Sequence, residues 1–241
     1  MKKTQEVIMI TGASKGLGEQ LTYHFASKQQ KLIICSRNIH ELNQVKRKAE
    51  ALGATIIAIE ADVSNYQDVD RLVSVAEEQF GHIDTLINNA SIFGPGPTEL
   101  IDYPEIHFNH VLQINILNPF LVTKRVLSGM LNREEGLIIN ITSAAGKTGF
   151  AEWGAYGISK FALEGMVQTW ADELEGTGVH TCLIDPGEMN TTMHEIAVPD
   201  CDYPLLEPAQ LLPLFDQIME ERYKSNGKRY NIEDYLNGDS I

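Results

Sequence analysis

The sequence predicts a single α/β domain, a doubly wound, open parallel sheet of about seven strands with helices on both faces. Three observations carry that prediction. Seven apolar runs of strand length alternate with segments of helical period. Most runs are rich in Ile, Val and Leu without polar alternation, the pattern of strands buried on both faces. No linker, repeat or low-complexity segment breaks the series, and repeated β-α-β implies one sheet joined by right-handed crossovers. A chain of 241 residues buries about 70–75% of its unfolded surface, so the fold requires no disulfide or metal staples.

Each element follows in order. "EVIMIT" (6–11) leads through a glycine-rich turn into the polar-faced "EQLTYHFASK". "KLIICS" (31–36) precedes Ile39, Leu42, Val45, Ala49 and Leu52, whose spacing of three and four fits an amphipathic helix. "TIIAIEADV" (55–63) precedes Val69, Leu72, Val73, Ala76 and Phe80, with the same period. "IDTLINNA" (83–90) opens into a longer segment with a helix over 105–130, and "GLIINITS" (136–143) follows it. A second long helix over 156–175 separates this strand from "GVHTCLIDPG" (178–187), and "KRYNI" (228–232) reads as a weak seventh strand. The segment 188–213, with Pro199, Pro204, Pro208 and Pro213, is irregular and follows a strand's carboxyl end. Ligands of such sheets bind outside those ends, so 188–213 is read as a substrate lid within one domain spanning 1–241.

Composition narrows the function. The net charge of −14 argues against nucleic acid or an anionic membrane surface as partner. Cys35, Cys182 and Cys201 are odd in number and widely spaced, which fits neither a disulfide framework nor a metal site. After Lys2 and Lys3 the apolar run stops at four residues, too short for a signal segment or a membrane span. The expected location is the cytoplasm.

Chemistry concentrates at the carboxyl ends of the strands. After the first strand, "TGASKGLG" places Gly12, Gly16 and Gly18 around Ser14, Lys15 and Leu17. Such glycines permit a tight turn and let backbone approach a pyrophosphate resting on the next helix N-terminus. Folds that bind NAD carry an acidic residue about 20 positions on, for the ribose 2′-hydroxyl. Here the second strand ends in Ser36 and Arg37. An arginine there clamps a 2′-phosphate and Lys15 adds a second cation, so NADP(H) is the expected cofactor, preferred over NAD(H). Tyr156 and Lys160, four apart, share one helix face, and a cation under a phenol favours the phenolate. Ser143 ends the fifth strand 13 residues earlier and can join the pair over one crevice.

With these residues the sequence resembles the short-chain dehydrogenase/reductase family, in its main branch with TGxxxGxG and YxxxK motifs. The match comprises "TGASKGLG", "NNA" (88–90), Asn115 in "QINILNPF", Ser143 in "NITSAAG", "YGISK" (156–160) and "DPG" (185–187), in the family's order, from 6 to about 191. The resemblance implies a Rossmann-like fold and hydride transfer between nicotinamide and a small-molecule carbonyl or secondary alcohol. It implies Tyr156 as general acid/base, with Lys160 lowering its pKa and holding the nicotinamide ribose. Ser143 would donate to the substrate oxygen, and Asn115 would hold a water in a proton relay. Asp62 with Val63 would contact adenine, and Asn89 with Ala90 would sit beside the cofactor. Pro186, Gly187 and Thr191 would close over the carboxamide. Ser91 stands where the family usually has glycine, and the tail departs from relatives that end in a Gly-Gly segment across a tetramer interface.

The substrate pocket is expected from 93–97, 144–153 and the lid, with Phe93, Phe150, Trp153, Met189 and His194 as candidate contacts. His194 is given no catalytic role. Reduction of acyl groups on an acidic carrier protein is disfavoured by Asp172, Glu173 and Glu175 beside the site's helix. A non-catalytic dinucleotide-binding redox sensor is the alternative, although such relatives typically lose the tyrosine. Sugar-nucleotide epimerases and dehydratases usually have a longer C-terminal region than the roughly 50 residues after Thr191. A homodimer or homotetramer is expected to assemble on the two long helices.

Overall fold

The computed structural model describes residues 5–238. Lys2, Lys3 and the end of the acidic tail (239–241), both weighed above, lie outside the described residues. The element order is β1 (Val7–Thr11), α1 (Gly16–Ser27), β2 (Lys31–Ser36), α2 (Ile39–Ala51), β3 (Thr55–Glu60), α3 (Tyr66–Phe80) and β4 (Thr85–Asn88). There follow α4 (Glu105–Leu112), a π-helical turn at Gln113–Leu117, α5 (Asn118–Arg133), β5 (Gly136–Ile141), α6 (Gly154–Glu173) and β6 (Val179–Asp185). The chain ends in α7 (Thr192–Ala197), α8 (Leu212–Glu220), β7 (Arg229–Asn231) and α9 (Ile232–Asn237).

All seven strands are parallel, in the order β3-β2-β1-β4-β5-β6-β7. The predicted Rossmann-like doubly wound sheet is therefore present. Each face carries its own core. Leu21, Phe25, Leu42, Val45 and Phe215 of α1, α2 and α8 cover Ile8, Ile10, Leu32 and Ile34 on one side. On the other, Leu72, Val73, Val122, Val126 and Trp170 of α3, α5 and α6 cover Met9, Ile33, Leu86 and Ile138. Large side chains such as Phe25 and Phe215 are almost wholly buried, each worth about 1.5–3 kcal/mol of transfer free energy. Asn38 and Asn65 start α2 and α3 by accepting two backbone N–H bonds each, the usual way of satisfying orphan donors at a helix start.

Two strands stop earlier than their apolar runs, for identifiable reasons. β3 ends at Glu60 because the Asp62 N–H donates to Asp68 Oδ2 at 2.9 Å rather than to a neighbouring strand. β4 ends at Asn88 because the Asn89 and Ala90 N–H groups both turn to Thr11 Oγ1, each at 3.1 Å. The helix expected over 105–130 is present but interrupted by the π-turn, with Asn115 inside it. In 188–213, Met189 pairs with Leu206, and Leu211 is fully buried beneath α1 and α8. The expected lid is thus rooted in the core at its C-terminal end. Strand order reverses between β1 and β4, and this divergence opens a crevice at the strands' carboxyl ends.

Candidate active site

A cavity of about 1310 Å³ runs along that crevice. Its wall includes Gly12, Ser14, Lys15, Gly16, Leu17, Ser36, Arg37, Asp62, Val63, Asn89 and Ala90 at one end. Ser143, Tyr156, Lys160, Pro186, Gly187 and Thr191 line it further along. The five candidate substrate contacts, Phe93, Phe150, Trp153, Met189 and His194, line the same space. Gly18 and Asn115 stand behind the wall rather than in it.

The glycine turn is built by close approach. Gly12 has φ +65°, and a Cβ there would come within 2.7 Å of Ala90 Cα. A Cβ on Gly18 would meet Gly12 O at 2.5 Å and Asn89 Nδ2 at 2.6 Å. Asn89 seals this contact by donating to Thr11 O and Gly12 O at 2.9 and 3.0 Å. Asn89 therefore locks β1 to β4 while also facing the cavity. Lys15 and Arg37 are exposed, and neither has an ion-pair partner among the described residues.

Asn115 is fully engaged. Its Oδ1 accepts from Ser91 Oγ at 3.0 Å and from the Ile92 N–H at 2.9 Å, while Nδ2 donates to Ile92 O and Ser159 Oγ, both at 2.9 Å. The departure at Ser91 is thus a compensated one, since its hydroxyl supplies a donor to Asn115. The side chain has no capacity left for water, so a relay role would fall to the main chain at the π-turn.

Tyr156 is buried, with Phe93 and Trp153 at 5.2 and 5.8 Å between ring centroids. Lys160 Nζ lies 5.4 Å from the centre of the Tyr156 ring and donates to Ile141 O at 2.9 Å. The shared helix face was anticipated, but the pull on the phenol differs. Burial pushes Tyr156 up to about 12, a side-chain hydrogen bond with Ser143 works against this, and the Asp185 carboxylate adds to it. Burial pushes Lys160 down to about 8, opposed by Asp185 and Glu164. Desolvation is the largest cause for both groups, since both side chains are buried.

Three further charged residues surround this set. Arg229 Nε donates to Glu164 Oε1 at 2.8 Å, and Nη2 donates to Asp185 Oδ2 at 2.9 Å and Ser143 O at 3.0 Å. Sequence reasoning gave Asp185 only as part of a motif and missed the other two. Glu164 lies one turn beyond Lys160, a usable signal, whereas nothing local marks Arg229.

The family model described as short chain dehydrogenase matches residues 6–201. The chain belongs to the short-chain dehydrogenase family. Estradiol 17-beta-dehydrogenase 11 of Pongo abelii is 32% identical over 213 residues, covering 87% of this chain and 70% of that protein. The 3-oxoacyl-[acyl-carrier-protein] reductase of Synechocystis is 33% identical over 193 residues, covering 80% and 77%. A short-chain dehydrogenase structure from Shigella flexneri 2a, complexed with NADP, superposes with a TM-score of 0.87 at 28% identity, covering 95% and 97% of the two chains. As a family member the chain is an oxidoreductase that binds a nicotinamide dinucleotide and acts on hydroxyl or keto groups of small molecules. The cradle fits that group, since Gly12 and Gly18 leave only the space a glycine needs and keep the turn open toward the cavity. Among the described residues no helix is long and apolar enough to cross a membrane.

Proposed function

We propose that this chain is an NADP(H)-dependent reductase of a small-molecule carbonyl, reversible as an alcohol dehydrogenase. Tyr156 is its general acid/base. One observation carries this reading: Ser143, Tyr156 and Lys160 line the same cavity as two cations, Lys15 and Arg37, that have no ion-pair partner among the described residues. The glycine turn with Ser14, Leu17 and the start of α1 holds the pyrophosphate. Ser36, Arg37 and Lys15 hold the 2′-phosphate, Asp62 and Val63 the adenine, and Ala90 lines the path between them. Lys160 holds the nicotinamide ribose, and Pro186, Gly187 and Thr191 close over the carboxamide. The dinucleotide, when bound, supplies the hydride.

Ser143 donates to the substrate oxygen, and Tyr156 delivers its hydroxyl proton as negative charge develops there. General acid catalysis of this kind contributes about 10²–10⁴-fold. A phenol held near 12 stays protonated at neutral pH, which suits a proton donor in the reducing direction. Phe93, Phe150 and Trp153 make an aromatic wall next to Tyr156, which supports apolar ketones as substrates.

An acyl-carrier-protein reductase is the second reading, from the Synechocystis relative. Charge disfavours it. Asp172, Glu173 and Glu175 are exposed beside α6, Arg125 is paired with Asp70 and Glu77, and Arg133 faces Asp84. We place the protein in the cytoplasm as a homodimer or homotetramer. Leu117, Phe120, Ile158 and Phe161 give α5, its preceding turn and α6 an exposed apolar face of the kind a second copy would cover.

The test is incubation with NADPH deuterated at the nicotinamide C4 and a panel of aromatic and alicyclic ketones. Mass spectrometry should find one deuterium at the new carbinol carbon. Tight NADPH binding without product across the panel would favour the redox-sensor alternative, and unlabelled alcohol from NADPH deuterated at both C4 positions would contradict hydride transfer from the nicotinamide.

A further inference from the structure

We propose that Arg229 is a positioning residue for the Ser143–Tyr156–Lys160 set, one guanidinium tying the two segments that carry that set, the end of β5 and α6, to each other and to the end of β6. It reaches in from β7, where it lies opposite Leu183 of β6. Its Nη2 holds the main-chain carbonyl of Ser143 at 3.0 Å and Asp185 Oδ2 at 2.9 Å. Its Nε holds Glu164 Oε1 at 2.8 Å. Asp185 in turn accepts from the Gly187 N–H at 3.1 Å through Oδ1, fixing the head of the 186–191 loop. Glu164 sits one turn beyond Lys160 on α6 and accepts from Thr142 Oγ1 at 2.8 Å. The end of β5, the middle of α6 and the end of β6 therefore meet on one side chain.

The cluster is built rather than incidental. Glu164 and Asp185 are 5% and 3% exposed, and buried carboxylates persist only when paired and hydrogen-bonded. A Cβ on Gly146 would sit 2.8 Å from Glu164 Cγ and Oε1, so that glycine makes room for the carboxylate. A planar fork that reaches two carboxylates and a carbonyl at once suits arginine and not lysine. Burial favours losing the Arg229 proton, and Glu164 with Asp185 more than reverse that.

The charges facing Lys160 are Glu164 on its own helix, Asp185 at the end of β6, and Arg229 beyond them on β7; Tyr156 lies beside it, and β5 offers the Ile141 carbonyl. With Arg229 in place the two carboxylates are shared between two cations. Without it both act on Lys160 alone. The bearing on catalysis rests on Ser143, Tyr156 and Lys160 being the reacting set, but the charge balance is readable on the free chain.

The experiment is an NMR titration of protein labelled at the lysine Cε, with Lys160 assigned by its missing resonance in Lys160→Met. In the native chain burial pushes Lys160 down to about 8, so that resonance should titrate well below the ordinary lysine range. In Arg229→Met its midpoint rises by about one unit or more. In Arg229→Met/Glu164→Met one carboxylate leaves with the guanidinium and the midpoint returns close to native. Arg229→Lys keeps the charge and loses the fork. Its Lys160 midpoint stays near native, while kcat for the best panel ketone falls about tenfold or more at unchanged KM, in protein that melts lower than native but is fully folded at the assay temperature. An unmoved midpoint in folded Arg229→Met overturns the proposal, as does native kcat in Arg229→Lys. If Arg229→Met does not fold, a double variant titrating well below the native midpoint overturns it, since Glu164 alone would then set Lys160.

Discussion

Gly18→Ala tests the cofactor cradle at its tightest point. The added Cβ would lie 2.5 Å from Gly12 O, 2.6 Å from Asn89 Nδ2 and 3.0 Å from Ala13 Cα. Ordinary carbon contacts sit at about 3.5–4.0 Å, so the neighbours must retreat by about 1 Å. Two of the three are backbone atoms, and Asn89 is held by its bonds to Thr11 O and Gly12 O. Overpacking of this kind costs about 1–3 kcal/mol, and weakening the Asn89 bonds adds about 1 kcal/mol. The total of about 2–4 kcal/mol lowers the melting temperature by about 4–16 °C for a chain of this size. Differential scanning calorimetry reads that directly. Fluorescence titration should show NADPH affinity weakened at least tenfold, because displacement of Gly12 moves the turn that lines the cavity and is proposed to hold the phosphates. Gly165→Ala is the control: within one subunit an added Cβ meets nothing within 4 Å at this exposed position of α6, so the subunit's own fold should be unaffected or stabilised by about 0.5–1 kcal/mol. A Gly18→Ala protein that melts within a degree of native and binds NADPH normally would refute the reasoning.

Three other outcomes follow from the site. Arg37→Ser should weaken NADPH binding about 10–100-fold, the loss of a charge-assisted bond of about 1.5–3 kcal/mol, and leave NADH binding unchanged by isothermal calorimetry. Asn115→Ala removes four side-chain bonds and should destabilise the fold by about 2–4 kcal/mol in urea melts. Burial pushes Lys160 down to about 8 in the folded chain, against 10.5 for an ordinary lysine. Between those values the unfolded chain binds more protons, so this group makes stability rise with pH there. The stability of native protein relative to Lys160→Met should accordingly increase from pH 8 to 10 by about 2 kcal/mol in urea melts at stepped pH; a flat difference would mean Lys160 is not desolvated.

The fold was legible because its determinants are local. Runs such as "KLIICS" are apolar throughout, and the period of Val69, Leu72, Val73 and Ala76 matches the buried face of α3. Motif residues were legible for the same reason: the glycine turn and the tyrosine–lysine helix are contiguous in sequence. What escaped the sequence were contacts between distant segments. The early ends of β3 and β4 depend on Asp68 and Thr11 capturing backbone donors. The engagement of Asn115 depends on Ser91 and Ile92, more than 20 residues away. Arg229 meets Ser143 across 86 positions, and no spacing rule reaches that far. The upward push of burial on the phenol was out of reach for a related reason, since burial is a property of the packed site and not of the four-residue interval.

The measurement that bears most directly on the account is the steady-state rate of NADPH oxidation, with NADH in parallel, against aldehydes, diketones, quinones and alicyclic ketones for native protein and Tyr156→Phe. The account predicts turnover with NADPH well above NADH, reduced about 10²–10⁴-fold in Tyr156→Phe with NADPH affinity retained. Turnover that survives in Tyr156→Phe, or that favours NADH, would contradict it.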